Sequence, residues 1–599
     1  MVCGVALALA TVLLGSSCIT AVTASPEAQR YSFRFVRHAR DAPLVSYYNY
    51  IVVGGGTAGC PLAATLSERS RVLLLERGGQ PYGSRNVSTE YHLADASPLS
   101  PAQRFVSEDG VVNARARVLG GGSCLNAGFY TRASGGYVRA AGWDHRLVNA
   151  SYRWVEAERA LVFRPAVPEW QRALREGLLQ AGVTPDNGYT LEHVQGTKIG
   201  GTIFDRRGRR HTAADFLRRA HPRRLTVFLH ATVSRVLFRR AEGPAKPVAY
   251  GVVFTDPMGV QHHVYLRRGG AKNEVILAAG TLGSPQLLML SGVGPRAHLE
   301  EHGIRTVHDQ PGVGQGVADN PMNSVFVPSP VPVALSLVQV VGVTRFGSFI
   351  EGVSGSQFGI PLHGRGAAHR TARNFGMFSP MVHGSAGHGA ALPPKQRTPE
   401  AMRRAAEVMR RLDRRAFRGG FILEKVLGPL STGHIELRSA DAHANPAVTF
   451  NYFRDPRDVE RCARGIEAME RVVRSRAFSR FTYANHSAMD AAFRRAAAGT
   501  AYFPVNLLPR HPRDTRPLQQ YCRDTVMTIW HYHGGCHVGG VVDRDYRVIG
   551  VQGLRVVDSS TFRYSPGTNP QATVMMLGRY MGLRILKERW IRKGAEDKH

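Results

Sequence analysis

The fold is decided near the start of the chain by the stretch Tyr48-Asn-Tyr-Ile-Val-Val-Gly-Gly-Gly-Thr-Ala-Gly59. Its apolar beginning predicts a short β-strand, which ends at three glycines in the spacing GxGxxG. Gly54 permits a tight turn, Gly56 lets a pyrophosphate approach the backbone, and Gly59 allows a following helix to pack closely on the strand. The pattern therefore predicts a phosphate-binding β–turn–α unit.

The residues that follow complete the unit. After a short helical segment, Arg71-Val-Leu-Leu-Leu-Glu76 predicts a second buried strand that ends in an acidic residue. A helix N-terminus offers partial positive charge and free N–H groups to phosphates, and Glu76 is placed to accept hydrogen bonds from ribose hydroxyls. This order predicts a bound ADP-containing dinucleotide. The alternative is a glycine-rich turn in an ordinary α/β protein.

Composition indicates a large globular protein with a basic surface. The 599 residues exceed one compact core and predict about two to four domains. Lys and Arg number 77 against 45 Asp and Glu, a net charge of +32. The basic residues are scattered and no nucleic-acid-binding module accompanies them, so we expect no nucleic acid partner. The favoured interpretation of this charge is a solvated, arginine-rich surface. The functional alternative is that the basic surface is attracted to an anionic cell-wall matrix.

The first residues predict a targeting signal. Val2 to Leu14 is almost wholly apolar, and Val22-Thr23-Ala24 offers a small-x-small cleavage site, so segment 1–24 is typical of a secretory signal peptide. Sequons at Asn86, Asn149 and Asn485 agree with the secretory pathway and an extracellular destination such as the cell wall or apoplast. No later stretch predicts a membrane span, because prolines interrupt the apolar stretch 325–343.

The cysteines predict few cross-links and no metal site. Cys3 and Cys18 belong to the signal segment. The five others show neither CxxC nor zinc-ligand spacing, so one or two disulfides are expected, with at least one thiol left over. These five are Cys60, Cys124, Cys462, Cys522 and Cys536.

Glycine-punctuated, strand-rich segments lie at both ends of the chain. Residues 274–279 and 554–558 predict further strands, and 573–590 a final helix. We therefore predict an α/β fold in which a discontinuous Rossmann-type nucleotide-binding domain carries an inserted α+β substrate-binding domain. The nucleotide-binding parts are placed at 46–135 (including a covering loop), 221–320 and 541–592, and the substrate-binding parts at 136–220 and 321–540.

Two longer motifs identify a family. Ala116-Arg-Val-Leu-Gly-Gly-Gly-Ser-Cys-Leu-Asn-Ala-Gly-Phe-Tyr130 resembles the first signature of the glucose–methanol–choline (GMC) oxidoreductases. Gly280-Thr-Leu-Gly-Ser-Pro-Gln-Leu-Leu-Met-Leu-Ser-Gly-Val-Gly294 resembles their second signature. Trp530-His-Tyr-His-Gly-Gly-Cys536 and Gly567-Thr-Asn-Pro-Gln571 extend the match to the C-terminus. The resemblance covers residues 46–590 and is strongest to the plant HOTHEAD and mandelonitrile lyase-like subgroup.

The resemblance implies FAD as the cofactor and alcohol oxidation as the activity. It places the pyrophosphate on the glycine-rich turn, Glu76 on the adenosine ribose and Val233 near the adenine. Some relatives tether FAD through a histidine in the first signature. Leu125 fills that slot here, so non-covalent FAD is expected. The full set of implied FAD contacts is Gly54, Gly56, Thr57, Ala58, Gly59, Glu76, Arg77, Val118, Gly122, Asn126, Ala127, Gly128, Phe129, Val233, Trp530, Asp558, Ser559, Pro570 and Gln571.

The same resemblance points to a catalytic pair. Alignment on Cys536 places His531 at the family's base position and Asn569 at the second position. Removal of a hydroxyl proton as hydride leaves for flavin N5 needs a base that titrates near neutrality, which suits imidazole. An amide N–H then stabilises the substrate oxygen as it gains negative character. His533 shares the motif and is the competing base, although such a second histidine more often orders a loop.

Two activities remain open at this stage. The leading one is oxidation of a small-molecule alcohol, expected to be an apolar primary alcohol. By subgroup resemblance this substrate is a long-chain ω-hydroxy fatty acid used in cuticle or pollen-wall lipid. The alternative is an FAD-containing hydroxynitrile lyase. Asn569 stands where those lyases carry a second histidine, and their substrate-side cysteine has no counterpart between Cys124 and Cys462. Both departures favour the oxidoreductase.

Overall fold

A computed structural model describes residues 33–82, 101–157, 161–239, 246–268, 272–355, 392–401, 418–496, 506–512, 514–567 and 569–596. The expected signal peptide at 1–24 and the sequon at Asn86 lie outside these ranges. The described residues contain no helix long and apolar enough to cross a membrane. They also contain no cluster of three or more metal-ligating side chains.

The structure contains strands and helices throughout its described length. The strands are β1 (Val36–His38), β2 (Val45–Tyr48), β3 (Tyr50–Val53), β4 (Val72–Glu76), β5 (Ala102–Val106), β6 (Val112–Ala116), β7 (Phe129–Tyr130), β8 (Asp186–Tyr189), β9 (Gly196–Ile199), β10 (Gly201–Thr202), β11 (Leu225–Leu229), β12 (Thr232–Arg239), β13 (Val248–Thr255), β14 (Gln261–Leu266), β15 (Glu274–Leu277), β16 (Val293–Gly294), β17 (His308–Asp309), β18 (Gln315–Val317), β19 (Met322–Pro328), β20 (Val340–Val343), β21 (Ser348–Ser354), β22 (Gly419–Val426), β23 (Gly433–Glu436), β24 (Ala447–Thr449), β25 (Val526–Met527) and β26 (Leu554–Val556). The α-helices are α1 (Gly59–Ser67), α2 (Gly135–Ala140), α3 (His145–Glu156), α4 (Glu169–Gln180), α5 (Gly280–Leu290), α6 (Arg296–Glu301), α7 (Pro456–Val473), α8 (His486–Ala496), α9 (Leu518–Thr525) and α10 (Gln571–Glu596).

A six-stranded parallel sheet forms the first domain, in the order β1-β11-β4-β3-β15-β26. Strands β3 and β4 are buried along their whole length, as expected for strands covered on both faces. Helices α1, α3 and α10 cover one face, and the sheet β12-β13-β14-β2 covers the other. The expected α/β Rossmann-type fold is confirmed, and its strands come from three separated parts of the chain.

A seven-stranded sheet forms the second domain, in the order β25-β19-β22-β21-β20-β9-β8. Helices α4 and α7 pack on one of its faces and share an apolar core with it. Strands β21 and β22 pair in antiparallel register, with Glu351 opposite Leu423. Side chains on the opposite face of this sheet, among them Glu351, Val353 and Leu423, line a cavity.

The structure refines the expected domain boundaries. Segment 136–220 is divided between the domains, because α3 packs on α10 of the first domain whereas α4, β8 and β9 belong to the second. The first domain also begins earlier than 46, since β1 forms an edge of its sheet. Burial of the apolar face of α3 (Val148, Tyr152 and Val155) against the first domain explains the division.

One disulfide joins Cys462 in α7 to Cys522 in α9, and the other described cysteines (Cys60, Cys124 and Cys536) are buried free thiols. The bridge spans 60 residues, and closing a loop of that length restricts the unfolded chain. We expect the Cys462→Ala/Cys522→Ala variant to lose about 4 kcal/mol of unfolding free energy. Denaturant unfolding checks this value, with Cys124→Ala as a control that breaks no bridge. An equal loss in both variants would contradict it.

Candidate active site

A cavity of about 350 Å³ extends from the glycine-rich turn after β3 to the turn at 529–532. The structure brings nearly all of the predicted site residues to this one cavity. Gly59 is the exception, and it packs beneath the turn. The lining includes Gly54, Gly56, Thr57, Ala58, Glu76, Arg77, Val118, Gly122, Asn126, Ala127, Gly128, Phe129, Val233, Trp530, His531, Asp558, Ser559, Asn569, Pro570 and Gln571.

The glycines of the turn have distinct physical roles. Gly54 has a φ of +104°, and a Cβ there would lie 2.4 Å from the Ala278 carbonyl oxygen. A Cβ on Gly59 would lie 1.9 Å from the Gly54 carbonyl oxygen, so this glycine lets α1 approach β3. A Cβ on Gly56 would meet protein atoms only at 3.8 Å or beyond and would extend over the cavity. Gly54 and Gly59 therefore shape the turn, whereas Gly56 keeps its surface open.

Glu76 ends β4 at the edge of the cavity and is buried. Its Oε2 accepts a hydrogen bond from Gly55 N at 3.0 Å, and its Oε1 accepts one from Gly78 N at 2.7 Å. Burial raises the pKa of this carboxyl group. Each carboxylate oxygen has a second lone pair, so Glu76 retains the capacity to accept a ribose hydroxyl. The open glycine surface and this acceptor fit a dinucleotide.

The loop 126–129 is fixed to the first residue of α10. Asn126 Nδ2 donates to Gln571 Oε1 at 2.9 Å, and Gln571 Nε2 donates to the Phe129 carbonyl oxygen at 2.6 Å. Arg210 Nη1 donates to the Asn126 carbonyl oxygen at 2.7 Å. Leu125, which fills the histidine slot of the first signature, also lines the cavity. A leucine side chain offers no atom for a covalent flavin bond, so non-covalent FAD remains the prediction.

Asp558 connects β26 to the start of α5. Its Oδ2 accepts hydrogen bonds from Gly280 N at 2.9 Å and Ser284 Oγ at 2.6 Å, and its Oδ1 accepts one from Ser560 N at 2.8 Å. Burial raises its pKa. These bonds hold the second signature to the segment that follows β26.

The turn that carries His531 depends on Asp319, a residue that the sequence analysis missed. Asp319 Oδ1 accepts a hydrogen bond from His531 N at 2.9 Å, and its Oδ2 accepts bonds from Thr528 Oγ1 at 2.6 Å and Tyr452 OH at 2.7 Å. Trp530 has a φ of 59°, a left-handed conformation that needs such support. Burial raises the pKa of Asp319 to about 6. The one feature of the sequence that marks Asp319 is the Asp-Asn-Pro motif that follows β18.

His531 lines the cavity, whereas His533 does not. Burial lowers the pKa of His531 well below its usual value, and the charge of Lys425 and the neighbouring His533 act in the same direction. His533 Nδ1 lies 3.1 Å from the His531 carbonyl oxygen, and burial lowers its pKa to about 4. The geometry thus puts a neutral His531 at the cavity and His533 behind the turn.

The second domain supplies a wall that the sequence analysis did not find. Val338, Glu351, Val353 and Leu423 line the cavity beside His531. Within the apolar stretch 325–343, only Val338 lines the cavity, while β19 and β20 are buried in the sheet. Alternation along β21 was the available signal, but it does not reveal which face of a strand meets a cavity.

Replacing Asp319 with asparagine is expected to slow flavin reduction by about 10- to 100-fold, because the altered acceptor lets the His531 turn shift. Rapid-mixing absorbance measurements under anaerobic conditions give this rate. Asp109→Asn is the matched control, since Asp109 accepts backbone N–H groups of Phe450 and Asn451 at 2.7 and 2.9 Å without lining the cavity. Equal rates in the Asp319 variant and the unmodified protein would contradict this positioning role.

Comparison with known proteins places the site in a family. Family models described as GMC oxidoreductase match residues 48–322 and 429–578. Protein HOTHEAD of Arabidopsis thaliana is 48% identical over 91% of this chain and 89% of its own length. A (R)-mandelonitrile lyase-like protein of the same plant is 47% identical over 93% of each chain. A sinapyl alcohol oxidase of Nesocodon mauritianus is 41% identical over 90% of this chain and 89% of its own.

Solved structures agree on the fold. The formate oxidase of Aspergillus oryzae superposes with a TM-score of 0.66 at 20% identity, over 91% of this chain and 99% of its own. An FAD-dependent oxidoreductase of Chaetomium thermophilum superposes with a TM-score of 0.63 at 20% identity, over 90% and 99%. With family models covering more than half of the chain and relatives this similar along it, the chain belongs to the GMC oxidoreductase family and is an FAD-dependent oxidoreductase.

Proposed function

We propose that this protein oxidises a primary alcohol, with His531 as the base and Asn569 as the group that positions the alcohol. The observation that carries the proposal is that both residues line the cavity that also contains the dinucleotide-binding turn. The apolar side chains Val338, Val353 and Leu423 of the second domain line the same cavity. A substrate held there would contact both side chains and the reactive end of the cofactor.

The chemistry divides between cofactor and protein. Bound FAD supplies a hydride acceptor at flavin N5. His531 takes the hydroxyl proton while the carbon that bears the hydroxyl group gives up a hydride. This two-electron oxidation converts the alcohol into an aldehyde. The amide of Asn569 donates a hydrogen bond to the substrate oxygen as negative charge develops on it. Ile529 and Trp530 of the His531 turn, together with Val353 and Leu423, line the same cavity.

The lowered pKa of His531 has a consequence for pH dependence. A base works in its neutral form, so the rate of flavin reduction rises through the pKa of His531 and is constant above it. Because that pKa lies well below 6.5, we expect a constant rate between about pH 7 and 8.5 and a decline only on the acid side of 6.5. Stopped-flow flavin bleaching across pH measures this profile. A midpoint above 7 would contradict it.

The alternative activity is that of a hydroxynitrile lyase. Its support is the 47% identity to the (R)-mandelonitrile lyase-like protein of Arabidopsis thaliana. Two observations weigh against it. Asn569 lines the cavity where the lyases are expected to carry histidine, and no cysteine is among the cavity-lining residues that the structure describes. Addition of mandelonitrile and of an alcohol in parallel separates the activities. Cyanide release without bleaching supports the lyase, and bleaching with the alcohol supports the oxidoreductase.

For the substrate and its location we propose a long-chain ω-hydroxy fatty acid of cuticle or pollen-wall lipid, in a secreted protein associated with an anionic cell wall. The buried disulfide supports passage through an oxidising compartment. The apolar wall of Val338, Val353 and Leu423 suits an aliphatic chain. The direct test is anaerobic bleaching by a panel of fatty, aromatic and sugar alcohols, followed by admission of air. Absence of bleaching by every alcohol would overturn the proposed oxidation.

A further inference from the structure

An ion pair is buried in the otherwise apolar wall of the cavity. Lys425 Nζ lies 2.7 Å from Glu351 Oε2, and the two side chains are 0% and 3% exposed. Glu351 lines the cavity together with Val338, Val353 and Leu423, and with His531. Lys425 lies behind it, with Nζ 4.5 Å from the centre of the Phe349 ring. A carboxylate thus faces the alcohol end of the cavity and is held there by an ammonium group.

The hydrogen bonds of this pair leave one carboxylate oxygen available. Lys425 donates to Oε2 of Glu351. Among the described residues, none donates to Oε1 of that side chain. The neighbouring Glu424 points to the other face of the sheet, where its Oε1 accepts from Ser348 Oγ at 2.7 Å. In a cavity lined by Val338, Val353 and Leu423, Oε1 of Glu351 is an acceptor that receives no hydrogen bond from the part of the chain that the structure describes.

The charges around the pair select the kind of donor that fits. Burial raises the pKa of Glu424 well above its usual value, which keeps that carboxyl neutral, and burial lowers the pKa of His531, which keeps the imidazole neutral. Asp319 is the other nearby acid, and its oxygens are occupied by three donors. A substrate carboxylate would be repelled by Glu351, and a substrate ammonium by Lys425. A neutral hydroxyl group is repelled by neither side chain and can donate a hydrogen bond to the carboxylate.

The buried ion pair between Glu351 and Lys425 is not explained by a contribution to the stability of the fold. Desolvation of two charges costs about as much as their attraction returns, and replacing a buried pair with apolar residues of similar volume is often neutral. Because the pair faces a substrate cavity, recognition of a polar group of the substrate explains it better. A hydrogen bond to a charged acceptor is stronger than one between neutral groups and discriminates sharply against a substrate that lacks the donor.

We propose that Glu351 is a specificity-determining residue that accepts a hydrogen bond from a second hydroxyl group of the alcohol, with Lys425 holding the carboxylate in place. This inference rests on the proposed alcohol oxidation and narrows its substrate class. The preferred substrate carries one primary hydroxyl that reacts at His531 and a second, unreacting hydroxyl that reaches Glu351. Among the ω-hydroxy fatty acids proposed above, these are the chains that carry a further hydroxyl group, and diols and phenolic allylic alcohols carry the same pair of groups.

Matched pairs of alcohols test this recognition on the FAD-loaded protein. Decane-1,10-diol is compared with decan-1-ol, and 4-hydroxycinnamyl alcohol with cinnamyl alcohol, by anaerobic flavin reduction and by perturbation of the flavin spectrum on binding. The unmodified protein should favour the hydroxylated member of at least one pair by about 10- to 100-fold. Glu351→Gln should reduce that preference by about 10-fold.

Two further variants keep the test decisive. The double variant Glu351→Leu/Lys425→Met removes both charges together, so it avoids an unpaired buried ammonium and should abolish the preference. Glu424→Gln is the control, since this glutamate of the same sheet faces away from the cavity, and it should leave the preference intact. A uniform loss on all four alcohols in the Glu351 variants would overturn recognition in favour of a structural role. Equal reduction by both members of each pair would overturn it while leaving alcohol oxidation intact, whereas no bleaching by any alcohol would overturn the oxidation itself.

Discussion

Replacing His531 with alanine is expected to slow alcohol-driven flavin reduction by about 10²- to 10⁴-fold, the usual contribution of a general base. The reason is positional as well as chemical. His531 lines the cavity with a neutral imidazole, and no other histidine is among the cavity-lining residues that the structure describes. Rapid-mixing measurements of flavin bleaching under anaerobic conditions give the rate.

The FAD content of this variant should remain close to that of the unmodified protein, because the glycine-rich turn and the loop 126–129 are far from the substitution in the sequence and held by their own contacts. His533→Asn is the comparison, since this side chain bonds to the His531 carbonyl oxygen behind the turn. A larger loss in the His533 variant than in the His531 variant would reverse the assignment of the base.

The second large effect separates two glycines of one motif. Gly59→Ala should cost about 1–3 kcal/mol of unfolding free energy even without cofactor, because its Cβ would meet the Gly54 carbonyl oxygen at 1.9 Å. Helix α1 must then move away from β3. Gly56→Ala should leave the apoprotein as stable as before, because its Cβ meets protein atoms only at 3.8 Å or beyond. Thermal unfolding of both apoproteins measures the difference.

Both variants should nevertheless purify with little flavin. In Gly56→Ala the added methyl group takes space at the surface where the pyrophosphate must approach, whereas in Gly59→Ala the whole turn is displaced. Added FAD should raise the melting temperature of the unmodified apoprotein by mass action and have a much smaller effect on either variant. Full flavin retention in Gly56→Ala would show that the cofactor does not use this part of the turn.

Much of the first domain could be predicted from local patterns. The glycine spacing and two apolar strands predict β3, α1 and β4, and the runs at 274–279 and 554–558 correspond to β15 and β26. Strands β3, β4 and β15 are interior strands of a parallel sheet, where burial on both faces leaves a continuous apolar signal, and the edge strand β26 is buried as well. Segment 136–220 was harder, since amphipathic helices show which face is buried without showing which domain covers it. Helices α3 and α4 consequently lie in different domains.

The sequence alone was sufficient for the family, for FAD and for naming His531, because each depends on a contiguous motif whose residues act through local backbone geometry. Only the tertiary structure decided how that histidine is supported and what faces it. Asp319 reaches the His531 turn across 212 positions of chain, and Lys425 reaches Glu351 across 74. These contacts, and the burial that keeps His531 neutral, arise from the packing of two sheets around one cavity. Periodicity within a strand predicts alternation of its faces, but only the packed partner determines which face becomes a wall of the site.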